Sequence, residues 1–175
     1  MTRFLIAAAL ALTVAPSALA QDMPLSQILI DGEGWKKADA PGAKPPALGA
    51  STHPATLSPD RGTLFVAVTG ERFLFAAPAR ADGGTASPAV PYAPLRLKRG
   101  AKSIEVTSLA TDTAGRIYAA TDLGVQVFDP TGRLCGVLTP AAPGKPEHLA
   151  FEGDKLTLWI DDTKYERKLR TQGAK

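Results

Sequence analysis

The sequence predicts an all-β fold, and three observations carry that expectation: closely spaced turn signals, β-rich runs between them, and no sustained helical period after residue 20. Turn chemistry recurs at 60–62, 81–84, 113–115, 129–132 and 152–154, where Asp, Gly and Pro cluster. Between these turns lie candidate strands at 63–69, 72–77, 116–121, 124–128, 134–138 and 155–160. Residues 38–54 are mostly Ala, Pro and Gly, too poor in large apolar side chains to hold a packed element, and read as a linker.

The turns repeat a pattern. Segments 55–66, 109–119 and 149–160 each read as an inner strand, an acidic or Gly-bearing turn and a second strand carrying an aromatic. Those aromatics, Phe65, Tyr118 and Trp159, are taken as equivalent and stand 53 (65 to 118) and 41 (118 to 159) residues apart, near the roughly 40 to 50 of a four-stranded propeller blade. The expected architecture is a partial β-propeller of about three blades; a β-sandwich with similar hairpins is the alternative. Two blades, 54–99 and 106–138, come out nearly complete. The third, 147–170, lacks an outer strand that residues 27–39 could supply.

The N-terminus sets the address. Arg3, an apolar run over 4–14 and Ala18-Leu19-Ala20 make a secretory signal peptide over 1–20, too short to span a bilayer. No Cys follows the cleavage site to carry a lipid, so the expected product is periplasmic or secreted, with no membrane attachment. The expected organisation is a signal peptide (1–20), an N-terminal strand with its linker (21–53) and the partial propeller (54–175). Removing Arg3 lowers the formal charge from +3 to +2, too little and too diffuse for nucleic acid. The basic run 164–170 alternates as a strand does, with Tyr165, Arg167 and Leu169 on one face and Glu166, Lys168 and Arg170 on the other. A solvated strand face is the favoured reading over a polyanion patch. Cys135 is the only cysteine, which excludes an internal disulfide and a Cys-built metal cage. Its apolar neighbours suggest a packed thiol.

At this point the residues resemble a known family. Ser58-Pro59-Asp60 with Leu64-Phe65-Val66, the stretch 124–133 (GVQVFDPTGR), and Leu149-Ala150-Phe151-Glu152-Gly153 leading to 164–168 are similar to the C-terminal half of gluconolactonase/regucalcin proteins. That family includes senescence marker protein and luciferin-regenerating enzyme. Residues 25–35 resemble the start of its exported members, which implies an internal loss of blades. The resemblance implies descent from a six-bladed propeller that holds a divalent ion at one mouth of its channel and hydrolyses sugar lactones there, by polarising the lactone carbonyl beside an activated water. It also implies four ligands: a Glu in Glu-Gly-Pro, two Asn, and an Asp that serves as base. This chain has no Glu-Gly-Pro and no Asn. Matching the inner strands on Leu57, Thr111 and Phe151 puts His53 at the place of one Asn and Thr107 at that of the catalytic Asp.

A substitute metal site would use His53 and Glu147, which fall at matching positions of the first and last blades, with Glu105 nearby; His148 reads as a surface or packing residue. Imidazole and carboxylate suit zinc or manganese better than calcium. The competing reading makes both residues solvated ones near loop ends. Three blades leave raw edges, so a homodimer that completes a propeller head-to-tail is the expected partner, and a sugar lactone the expected ligand. Three function classes stay open: a lactonase-like hydrolase with a rebuilt metal site, a non-catalytic binding or assembly module, and a decayed remnant.

Overall fold

Asx-type turns set the strand boundaries in the computed structural model, which describes residues 23–39, 53–81 and 84–175. The signal-peptide segment and most of the linker lie outside the described residues. Asp112-Thr113-Ala114-Gly115-Arg116 and Asp129-Pro130-Thr131-Gly132-Arg133 are two copies of one turn. In each, the Asp Oδ1 accepts the backbone N–H groups of the residues two and four positions on, at 2.8–3.0 Å. The Gly takes φ +81° or +83°, a left-handed conformation that costs glycine nothing. Ser58, Asp60 and Gly62 do the same work with different spacing, Gly62 N–H reaching Asp60 Oδ1 at 3.0 Å.

Among the described residues twelve strands result: β1 (Lys36–Lys37), β2 (Ala55–Leu57), β3 (Thr63–Ala67), β4 (Phe73–Pro78), β5 (Val90–Pro94), β6 (Val106–Thr111), β7 (Ile117–Thr121), β8 (Gly124–Phe128), β9 (Leu134–Leu138), β10 (Pro146–Glu152), β11 (Lys155–Ile160) and β12 (Thr163–Lys168). They form three antiparallel four-stranded sheets. The first is β2-β3-β4-β5 and the second β6-β7-β8-β9, both simple meanders, while the third is β10-β11-β12 with β1 added outside. The missing outer strand of the third sheet is therefore Lys36–Lys37, paired with Glu166 and Tyr165 across 128 or more residues of chain. Trp35 pins that return, its indole N–H donating to Thr139 O at 2.8 Å.

The sheets stack face to face, and strand alternation decides what each interface contains. Phe65, Ala67, Leu74 and Ala93 of the first sheet meet Leu109, Ile117, Ala119 and Phe128 of the second. The other face of the second sheet, with Tyr118, Ala120, Val125 and Val127, meets Leu149, Leu156, Leu158 and Ile160 of the third, sealed by Ile28. Cys135 packs beside this second core and is in no disulfide.

Polar groups cross the interfaces as well. The buried Gln126 amide accepts Arg96 N–H at 2.8 Å and donates to Arg96 O at 3.0 Å, binding the second sheet to the strand leaving the first. Thr111 Oγ1 donates to Leu57 O at 2.7 Å, and Ser108 Oγ to Leu149 O at 3.2 Å. The three first strands therefore lie side by side at matching levels, as inner strands do.

One expected equivalence is corrected by register. Phe65 pairs with Thr56 and Tyr118 with Ala110, but the residue pairing with the matching Ala150 is Thr157; Trp159 pairs with His148, two positions further along. The tighter hairpin at Glu152-Gly153-Asp154-Lys155 shifts β11 relative to its counterparts, and sequence similarity at the aromatic hid the shift.

Candidate functional site

The mouth at the start of the inner strands is built by two matching irregularities. The β6–β7 ladder slips between Val106 and Ser108, and the β10–β11 ladder between Pro146 and His148. Thr107 and Glu147 are thus the extra residues of two equivalent bulges, a device that re-aims a side chain and recurs beside binding sites. In the first sheet Ala67 N–H bonds to Pro54 O just before β2, which leaves His53 at the corresponding place. The inner-strand matching of His53, Thr107 and Glu147 rests on this repeated geometry.

What the mouth holds is chemically sparse. Thr107 Oγ1 points back to Ala120 O at 3.4 Å, and a hydroxyl there offers no base. Glu105 is exposed and engaged by Lys145 at 2.8 Å, and Lys98 pairs with Asp122 close by. Together with Ser103 and Thr107 these four residues line a depression of about 190 Å³ between the second and third sheets. His148 sits away from it, its ring 5.3 Å from that of Trp159 in an edge contact, which makes it a packing residue of the third sheet's outer face. His53 and Glu147 are both partly buried. Among the described residues no group of three His, Cys, Asp or Glu side chains converges as a metal would require. The donor set at the mouth does not amount to a complete metal site.

The densest polar cluster lies at the opposite end of the same strands, where sequence reading saw only a turn. Asp112 is fully buried, and its Oδ2 accepts from Arg116 Nη1 at 3.2 Å, Tyr118 OH at 3.0 Å and Thr171 Oγ1 at 3.1 Å. Arg116 Nη2 continues to Gln27 Oε1 at 3.0 Å. The tail closes over this centre through Thr113 N–H to Gln172 O and Ala174 N–H to Thr111 O. Burial, the Asp112 charge and its hydrogen bond push the Tyr118 phenol well above its ordinary range, so it remains a neutral donor. At Asp129 burial pushes the carboxyl up, but the Thr131 hydroxyl and the Arg133 and Thr131 backbone N–H groups outweigh it and hold the group below the usual range. The signal that could have flagged Asp112 is its Asp-x-x-Gly-Arg match to 129–133, together with the aromatic two residues after the Arg.

The third sheet's outer face is charged and internally paired. Lys164, nearly buried, meets Glu152 at 2.8 Å and Glu166 at 3.2 Å and lies over the Trp159 ring, while Lys155 meets Glu166 at 2.9 Å. The Glu152 hydrogen bond, and then that of Glu166, raise the Lys164 ammonium above its usual value against the opposing effect of burial. The face read as solvated carries an ion-pair network with Lys164 at its centre and half-exposed Lys155 and Glu152 around it. Among the described residues no helix is long and apolar enough to cross a membrane.

No protein-family model matches the chain, and no curated protein matches it. Solved structures do. A gluconolactonase from Xanthomonas campestris superposes with a TM-score of 0.53 at 24% identity, over 66% of this chain and 37% of its own. Regucalcin from Agrobacterium tumefaciens, described as a calcium-binding protein, superposes with a TM-score of 0.52 at 21% identity, over 69% of this chain and 46% of its own. A luciferin-regenerating enzyme gives 0.53 at 15% identity, over 70% and 47%. The chain spans less than half the length of each of these. It is a three-sheet part of a β-propeller, sharing its fold with gluconolactonase, regucalcin and luciferin-regenerating enzyme structures.

Proposed function

We propose that this is an exported, gluconolactonase-like propeller protein in which the ancestral reaction, divalent-metal-dependent hydrolysis of sugar lactones, is weakened or lost. Export rests on the residue pattern of 1–20 and on the lack of charge in its apolar run. The likeness of fold supports the ancestry. The observation that carries the loss is the composition of the mouth. Its equivalent bulge positions hold Thr107 and Glu147, His53 stands at the third, and no trio of ligating side chains converges among the described residues.

Any metal that binds is held by His53 and Glu147, and a sugar lactone is the ligand class the ancestry suggests. Two protein ligands are one fewer than the three a catalytic zinc site usually has. The test is lactone hydrolysis by the purified protein with zinc, manganese or calcium. The expected result is little or no metal-stimulated turnover, and whatever remains should vanish in His53→Ala. Metal-stimulated turnover near the roughly 10 s⁻¹ of an ordinary enzyme would overturn the reading.

A second reading is favoured by the two outer sheet faces. A propeller module that has lost its ligands and keeps open flanks serves as a non-catalytic binding or assembly element, in which two copies associate. It predicts no lactone turnover with any divalent ion and a mass above that of one chain in light scattering.

A further inference from the structure

The register of the first sheet puts Leu57, Leu64 and Ala77 on one face together with Ala55, Val66 and Phe75, and with Phe73 at the same parity. This is the face turned away from the second sheet. Leu57, Leu64, Val66, Phe73 and Phe75 are each partly buried and belong to neither apolar core. No charged residue of β2, β3 or β4 stands on it. Its counterparts by register are the faces bearing Ile117 and Ala119 in the second sheet and Leu156 and Leu158 in the third, and both of those are buried between sheets. The first sheet therefore presents outward a surface of the kind that the chain elsewhere covers with another sheet.

We propose that this surface is covered by the same surface of a second copy, first sheet against first sheet about a two-fold axis. The inference deepens the assembly reading above and rests on it. Two like faces make an isologous contact, and two apolar sheets pack aligned with side chains interdigitating. The alternative partner within a second copy is the third sheet's outer face. That face carries Lys155, Lys164, Glu152 and Glu166, already satisfied by one another. Closing a ring through it would strip water from a settled ion network, and β2, β3 and β4 offer its charges no ionic partner in return. Self-pairing buries apolar area on both sides; the charge it meets is the exposed Arg72, whose guanidinium lies over the Phe73 ring at 5.4 Å.

Light scattering on the purified protein should give the mass of two chains. Val66→Asp places a charge at the centre of the proposed contact and should halve that mass; the milder Phe75→Ser should do so in part, and far-UV circular dichroism shows whether each variant keeps its sheets. Ala150→Arg, on the outer face of the third sheet, should leave the dimer unchanged. A wild-type mass of one chain would sink both this inference and the assembly reading. A dimer that survives folded Val66→Asp, or dissociates in folded Ala150→Arg, would overturn the face-to-face contact and leave the assembly reading standing.

Discussion

The two ends of the inner strands differ sharply although the same three sheets build them. At the Thr111 end, one buried carboxylate gathers a guanidinium, a phenol, a threonine hydroxyl and two backbone N–H groups, and the chain terminus is drawn in over it. At the Thr107 end, the charges stand in pairs at the surface, as Lys145 does with Glu105 at 61% and 58% exposure. Hydrogen bonds to a buried charge are strong and costly to break, whereas exposed pairs are screened by water. One end thus holds the sheets together, and the other is free of that duty. Residues at this end can therefore change with less effect on the fold than residues at the other.

That contrast can be tested by substitution. Asp112→Ala leaves Arg116 buried without its carboxylate and should cost about 3–5 kcal/mol in chemical denaturation. Gln126→Ala strands both backbone groups of Arg96 and should cost about 2–4 kcal/mol, with the first and second sheets separating more readily in hydrogen exchange. Tyr118→Phe removes one donor to the same buried carboxylate and should cost about 1.5–3 kcal/mol. A cost for Tyr118→Phe near zero would show that the Asp112 centre is not the clamp that the contrast requires.

Smaller effects belong to the surface and to pH. Asp129 has its pKa depressed in the folded state, so its contribution is fully present above the unfolded value near 3.8 and is lost as the pH falls through the lower folded value. Asp129→Asn should therefore flatten the acid limb of a stability profile below about pH 4 and matter least to the pH dependence near neutrality. Glu105→Gln, at the other end, should change stability by less than about 1 kcal/mol. A larger loss there would mean that the mouth is structurally committed after all.

Much of this fold was legible because its signals are local. β-rich runs between turn signals placed β4, β7, β8, β9 and β11 within a residue or so, and the turn signals at 113–115 and 129–132 contain the glycines that take φ above +80°. The place for an outer strand in the third sheet could be counted as empty, and residues 27–39 named to fill it. The site was less legible. Its positions could be matched from strand to strand, but whether side chains converge depends on neighbouring sheets. The Trp159 equivalence failed for a related reason: a hairpin one residue tighter than that of the second sheet and two tighter than that of the first changes register without erasing the aromatic.

What the sequence determined by itself is the all-β class, the three repeated units and the absence of the ligand set that its resemblance leads one to expect, since each depends on residue type and short-range spacing. The tertiary structure decided the rest. It turned Asp112 from a turn residue into a buried hub, drew Lys36–Lys37 into the sheet that ends at Lys168, and separated an apolar outer face from an ion-paired one. These depend on which faces meet, and a face acquires its environment only when strands distant in the chain are brought side by side.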